Sequence, residues 1–166
     1  MTAQSKPTFR TTARAGDFIE YNEELYGRLG ELLELIQGAQ RFLVVSHTSP
    51  DGDAIGSTLA MALLLREQGK DVVAYNRDPI PYNFQFLPGA ETWQTAIDED
   101  AKFDVTILLD CAEPSRIGED FPAQGWGESI AVVDHHKTWD QNFADLYIRD
   151  VNAAATGELI YRLASR

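Results

Sequence analysis

Four short apolar runs, spaced along the chain with helical stretches and loops between them, constrain this sequence more than any other feature. They are Phe42-Leu43-Val44-Val45-Ser46, Asp71-Val72-Val73-Ala74-Tyr75, Asp104-Val105-Thr106-Ile107-Leu108-Leu109 and Ile130-Ala131-Val132-Val133. Each run is continuously apolar rather than alternating. A strand of that kind must be covered on both faces, which is the condition of a parallel sheet inside an α/β domain. Leu146-Tyr147-Ile148 offers a fifth strand. Phe18, Tyr21, Leu25, Leu29, Leu32, Leu33 and Ile36 recur at helical spacing up to Gly38, predicting an amphipathic helix over 18–37. A second helix is expected from about Ala54 to Gln68, stopped by Gly69, and a third from about Thr156 to the end of the chain. Pro79, Pro81, Pro88 and Gly89 turn the stretch after the second strand into a long connector holding Phe84 and Phe86. The expected architecture is therefore three-layer α/β: a mainly parallel β-sheet with helices on both faces.

With 166 residues, one compact domain is the expectation. Residues 1–16 read as a flexible leader without the apolar stretch of a signal peptide, and 17–166 as the domain. The formal charge of −12 excludes broad neutralisation of a DNA duplex, which needs a basic face. Cys111 is the single cysteine, so no intramolecular disulfide can form, and its place after a strand makes it a small core residue. The longest apolar run, Leu59 to Leu65, is far too short for a membrane span. A soluble, cytoplasmic protein is the expectation.

In an open parallel sheet, ligands bind beyond the carboxyl ends of the strands. The residues standing there are His47-Thr48-Ser49-Pro50-Asp51-Gly52-Asp53 after the first strand and Asp110 after the third. Asp134-His135-His136 follows the fourth and Asp150 the fifth. All three histidines of the chain fall in this set. Each member has an ordinary reading: Asp53 as a helix N-cap, Asp51-Gly52 as a turn, Asp110 as a turn opening, His135-His136 as a surface or core pair. One shared site accounts for all of them together. Imidazole nitrogens mixed with carboxylates suit a borderline divalent cation, and so many carboxylates at one rim need cations to offset their repulsion. Gly52 and Gly56 would let the loop approach the ions closely. Arg116 is either a phosphate contact or a partner of Glu113, Thr156 reads as the cap of the last helix, and Trp93, Trp126 and Trp139 read as packing or base-stacking groups.

The sequence from Ser46 to Ser57, with Asp110, the literal Asp134-His135-His136 and Asp150 ahead of Ala153-Ala154-Ala155-Thr156-Gly157-Glu158, resembles the DHH phosphoesterase family. It is most similar to the oligoribonuclease (nanoRNase) branch that also dephosphorylates pAp; Tyr75 to Asp78 and Phe86 to Gly89 look like that branch too. The resemblance runs from about Arg41 to Leu163. It implies two divalent cations, Mn²⁺ first with Mg²⁺ or Co²⁺ as alternatives. One would be held by His47, Asp51 and Asp110, the second by Asp53, Asp110, His135 and Asp150. Asp134 would orient the ring of its metal-bound neighbour, and His136 would face the substrate phosphate. A hydroxide activated by both metals would attack phosphorus.

The implied function is hydrolysis of phosphate esters in short single-stranded oligoribonucleotides or small nucleotides such as pAp, with a homodimer as one assembly. Alternatives within the same chemistry are an inorganic pyrophosphatase, an exopolyphosphatase or a cyclic-dinucleotide phosphodiesterase. A non-catalytic nucleotide-binding module is the alternative from another class. The resemblance further implies a carboxyl-terminal DHH-associated domain that grips the substrate, so the chain reads as the catalytic part, with low activity of its own.

Overall fold

A computed structural model describes residues 23–138 and 143–166. The leader at 1–16, Phe18, Tyr21 and Trp139 lie outside the described residues. The elements in chain order are α1 (Glu23–Gly38), β1 (Arg41–Ser46), α2 (Gly52–Glu67), β2 (Asp71–Tyr75), β3 (Trp93–Gln94), β4 (Val105–Leu109), β5 (Ser129–Asp134), β6 (Leu146–Arg149) and α3 (Thr156–Ala164). The five strands expected from the apolar runs are all present. β3 was not foreseen, because it is only two residues long and is held by backbone pairing of Trp93 with Ala74 and Gln94 with Tyr75.

The six strands form one sheet in the order β3-β2-β1-β4-β5-β6, and every pairing is parallel. The order reverses between β1 and β4, which lie side by side with Ser46 opposite Leu109. A crevice opens beyond the strand ends wherever connections leave in opposite directions. The topology therefore locates a binding crevice at the residues that follow Ser46 and Leu109.

Side chains alternate across the sheet. Phe42 and Val44 of β1, Val105, Ile107 and Leu109 of β4, Ala131 and Val133 of β5, and Leu146 and Ile148 of β6 join one core. All three α-helices close that core: Leu25, Leu29, Leu32 and Ile36 from α1, Met61 and Leu65 from α2, and Leu159, Ile160 and Leu163 from α3. The opposite face buries Leu43, Val45, Leu108, Val132 and Cys111. Its cover comes from Ile117 in the 3₁₀ turn Pro114–Ile117, from Trp126 after the turn Ala123–Gly125, and from loop residues such as Phe103 and Phe121. The three-layer α/β expectation holds, with the α-helical layer on one side and short 3₁₀ helices on the other.

Trp126 packs edge-on against Phe121, with ring centroids 4.9 Å apart. Trp93 packs beside Ile55, Leu59 and Ile80 and donates from Nε1 to the Asp78 carbonyl at 3.0 Å. Both are packing residues. Gly52 also has a packing reason, since an added Cβ would stand 3.3 Å from the Phe84 ring, whereas a Cβ on Gly56 would meet open space.

Cys111 is fully buried, and burial pushes its thiol up to about 11. At pH 8 only roughly one molecule in a thousand would then carry the reactive thiolate. Iodoacetamide at that pH will leave Cys111 of the folded protein unmodified and will label it once urea unfolds the chain. Mass spectrometry of the two samples reads the difference; equal labelling would contradict the buried placement.

Candidate metal centre

The loop after β1 is shaped before any ligand is considered. Asp51 is the N-cap of α2, its Oδ1 accepting from the backbone N–H of Asp53 and Ala54 at 3.0 Å each. This satisfies two of the donors that a helix start leaves open, and it leaves Oδ2 available. Asn76, fully buried after β2, donates from Nδ2 to the Ser46 and His47 carbonyls at 3.2 and 2.8 Å. Asp78 accepts from the Ser49 N–H at 2.6 Å. Two residues at this rim adopt left-handed backbone: Ser49 at φ 52° and Asp110 at φ 56°. Such conformations cost free energy and persist where the surroundings hold them, as they often do at functional sites.

His47 stands at the end of β1 with Nδ1 2.8 Å from the carbonyl of Thr48. A carbonyl only accepts, so Nδ1 carries the proton and donates, and Nε2 keeps its lone pair toward Asp110 Oδ2, 3.5 Å away. His135 repeats the device: Nδ1 faces the Ala153 carbonyl at 3.2 Å. Its Nε2 lies 3.5 Å from Asp53 Oδ2 and 3.6 Å from Asp110 Oδ1. Asp110 is 1% exposed and takes a hydrogen bond on Oδ1 from the Thr156 hydroxyl at 2.9 Å.

Potential ligand atoms of His47, Asp51 and Asp110 lie within 4.8 Å of one another, and so do those of Asp110, His135 and His136. Asp110 is common to both groups. Three strand ends, those of β1, β4 and β5, thus deliver imidazole nitrogens and carboxylate oxygens to one rim, with a shared carboxylate at the centre. The donor set fits divalent cations of the Mn²⁺ or Co²⁺ kind, and backbone carbonyls already fix two imidazoles in the ligating tautomer.

The electrostatics agree. The polar contact with Asp110 raises the pKa of His47, against the opposing effect of burial. Burial pushes the Asp110 carboxyl up, yet contacts from His47 and Thr156 and the charges of His136 and His47 outweigh it and hold the group below its ordinary value.

Several expectations are revised. Asp134 is fully buried and its Oδ1 accepts from Nδ1 of His136 at 2.8 Å, so it orients His136 and not His135. The backbone reason is that His135 turns toward the Ala153 carbonyl of a different loop. Asp53 does not cap its own helix. Its Oδ2 accepts from the Thr156 N–H at 2.7 Å and its Oδ1 from the Gly157 N–H at 2.9 Å, so it caps α3 across the fold. Thr156 accordingly is the first residue of α3 and spends its hydroxyl on Asp110 rather than on a cap. Asp150 joins neither ligand group among the described residues. Its Oδ2 accepts from Arg162 Nη1 at 3.0 Å and its Oδ1 from the Asn152 N–H at 2.9 Å. A guanidinium thus already partners that carboxylate.

Arg116 bonds Glu113 only through its backbone N–H, and its carbonyl accepts from the N–H of Thr48 at 2.8 Å. Its guanidinium makes no ion pair among the described residues, and its charge works to lower the pKa of His47. Asn76 and Thr156 are the organising residues that sequence reasoning did not assign to the site. The signal for Asn76 was its position directly after a strand, the same signal that singled out the histidines.

The DHH family N-terminal domain matches residues 41–166. The bifunctional oligoribonuclease and PAP phosphatase NrnA of Thermus thermophilus is 32% identical over 132 residues, 80% of this chain and 38% of that protein. A probable manganese-dependent inorganic pyrophosphatase of Enterococcus faecalis is 27% identical over 128 residues, 74% of this chain and 40% of that protein. Among solved structures, an exopolyphosphatase-related protein from Bacteroides fragilis superposes with a TM-score of 0.76 at 26% identity, covering 85% of this chain and 44% of that one. The chain spans about two-fifths of the length of the curated relatives it matches. Since the family match takes in every member of the cluster built around Asp110, the chain belongs to the DHH family.

Proposed function

We propose that this chain carries a divalent-metal-dependent phosphoesterase centre, acting on short oligoribonucleotides and on small nucleotides such as pAp. The observation that carries the reading is the meeting of His47, Asp110, His135 and His136 within 3.6 Å contacts at the β1–β4 crevice. The NrnA relative supplies the substrate class, and the manganese-dependent relative supports Mn²⁺. The domain reading, with 17–166 as the DHH domain, belongs to this proposal, as does a cytoplasmic location; no described helix is long and apolar enough to cross a membrane.

His47, Asp51 and Asp110 would hold one cation, and Asp53, Asp110 and His135 the other. Bound there, two cations supply the charge that makes a water acidic near neutral pH and that offsets the negative phosphoryl oxygens. The protein's own groups do the rest. Asp110 would serve both sites, and its hydrogen bond from Thr156 keeps the carboxylate oriented. His136, anchored through Nδ1 by Asp134, keeps Nε2 for a substrate oxygen. Arg116 would be a substrate phosphate contact, since a guanidinium can grip phosphate in bidentate fashion.

The test sets pAp, a labelled diribonucleotide, pyrophosphate, polyphosphate and a cyclic dinucleotide side by side with Mn²⁺, after EDTA, and after Mn²⁺ is restored. Turnover of pAp and the dinucleotide, lost with EDTA and regained with Mn²⁺, is the expected result. Preference for pyrophosphate, polyphosphate or the cyclic dinucleotide would move the protein to another branch of the same chemistry. Nucleotide binding without turnover at saturating Mn²⁺ would make it a binding module.

A further inference from the structure

Three of the side chains assigned to the second cation depend on one loop, the stretch 150–157 that joins β6 to α3. The Ala153 carbonyl takes Nδ1 of His135 at 3.2 Å. The N–H groups of Thr156 and Gly157 hold the two oxygens of Asp53 at 2.7 and 2.9 Å. The Thr156 hydroxyl holds Asp110 at 2.9 Å. Any shift of this loop moves Asp53 and His135 together, whereas Asp110, fixed at the end of β4 with its N–H on the Val133 carbonyl, loses only the Thr156 hydrogen bond.

The loop is itself held by a buried charge cluster that the proposed reaction does not use. Arg162, 8% exposed, donates from Nη1 to Asp150 Oδ2 at 3.0 Å and from Nη2 to Glu158 Oε1 at 2.5 Å. The other oxygen of Asp150 accepts from the Asn152 N–H, and the other oxygen of Glu158 accepts from the Ala154 N–H, both at 2.9 Å. The Asp150 carbonyl accepts from the Ala153 N–H at 3.1 Å. Arg162 thus fixes two carboxylates whose remaining oxygens fix the backbone on either side of Ala153. Burying a guanidinium is expensive, and an apolar residue at 162 would serve helix packing at least as well. Geometry is what the cluster adds.

We propose that Arg162, acting through Asp150 and Glu158, is a positioning residue for the second cation site. It sets where the Ala153 carbonyl and the first N–H groups of α3 present His135 and Asp53. The inference rests on the reading that the cluster binds two divalent cations, and it adds that the two sites differ in their dependence on this distant clamp.

The experiment is a Mn²⁺ titration of the full chain and of Arg162→Met, Arg162→Lys and Asp150→Asn, followed by calorimetry and electron paramagnetic resonance. Wild type should take up two ions and show a spin-coupled signal. Arg162→Met should keep one ion near wild-type affinity, bind the other about 10–100-fold more weakly, and show an uncoupled signal at metal levels that couple the wild type. Arg162→Lys should restore part of the second affinity, because an ammonium can still reach one carboxylate. Asp150→Asn keeps the acceptor for Asn152 but loses the charge, and serves as the decisive variant if Arg162→Met does not fold. Coupled binding of two ions with unchanged affinities in Arg162→Met, or in Asp150→Asn where that is decisive, would overturn the proposal, as would equal weakening of both ions. A wild type that binds no Mn²⁺ would instead overturn the metal-centre reading underneath.

Discussion

Asp110→Asn will abolish phosphoester hydrolysis and weaken both cations at once. Asp110 is the member common to both ligand groups, and it is nearly fully buried beside His47, His135 and His136. An amide of the same shape keeps one acceptor oxygen but loses the charge, and its NH₂ would be forced against an imidazole or a cation. Loss of an outer partner already costs a metal site on the order of 10–100-fold in affinity, so loss of a shared ligand will exceed that at each ion. With the centre unloaded, turnover should fall by at least about a thousandfold, the scale on which removal of a single charge-stabilising group acts. Calorimetric Mn²⁺ titration and the pAp assay check it. Two ions bound at wild-type affinity in Asp110→Asn would disprove the bridging role.

Leu32→Ala will cost the protein stability on the scale of a fully buried core truncation. Leu32 has no exposed surface and lies in the core formed by α1, α2, α3 and one face of the sheet. A fully buried leucine truncated to alanine costs about 2–5 kcal/mol, with the upper end where the site cannot collapse. α1 rests on β6, so its anchoring core is shared with Leu146 and Ile148. Urea unfolding should show a lower midpoint with an unchanged slope. The family match begins at residue 41, after α1. A change below about 0.5 kcal/mol, the scale of ordinary surface substitutions, would mean that α1 is a peripheral addition rather than a part of the domain.

Much of the site was legible because strand ends are visible in a sequence. A run such as Val105 to Leu109 must be a covered strand, and the residue after it must emerge at the rim, so Asp110 was identifiable without coordinates. His47 and Asp134-His135-His136 follow by the same logic. Which partner each group chooses was not legible. Asp134 and His136 are two residues apart and pair, while His135 between them reaches to a carbonyl 18 residues onward. Asp150 occupies the same kind of position as the others, yet an arginine 12 residues later claims it. Asp53 looked like a local cap and turned out to cap a helix more than a hundred residues away.

From its own residues the chain determines the type and order of its elements and the chemistry waiting at their ends, because hydrophobic periodicity and turn residues act over a few neighbours. Only the folded sheet decides that β1 lies against β4, bringing His47 to Asp110, and that α3 starts at Asp53. Those meetings depend on which strands become neighbours. Packing of whole faces sets that choice, and no local spacing encodes it.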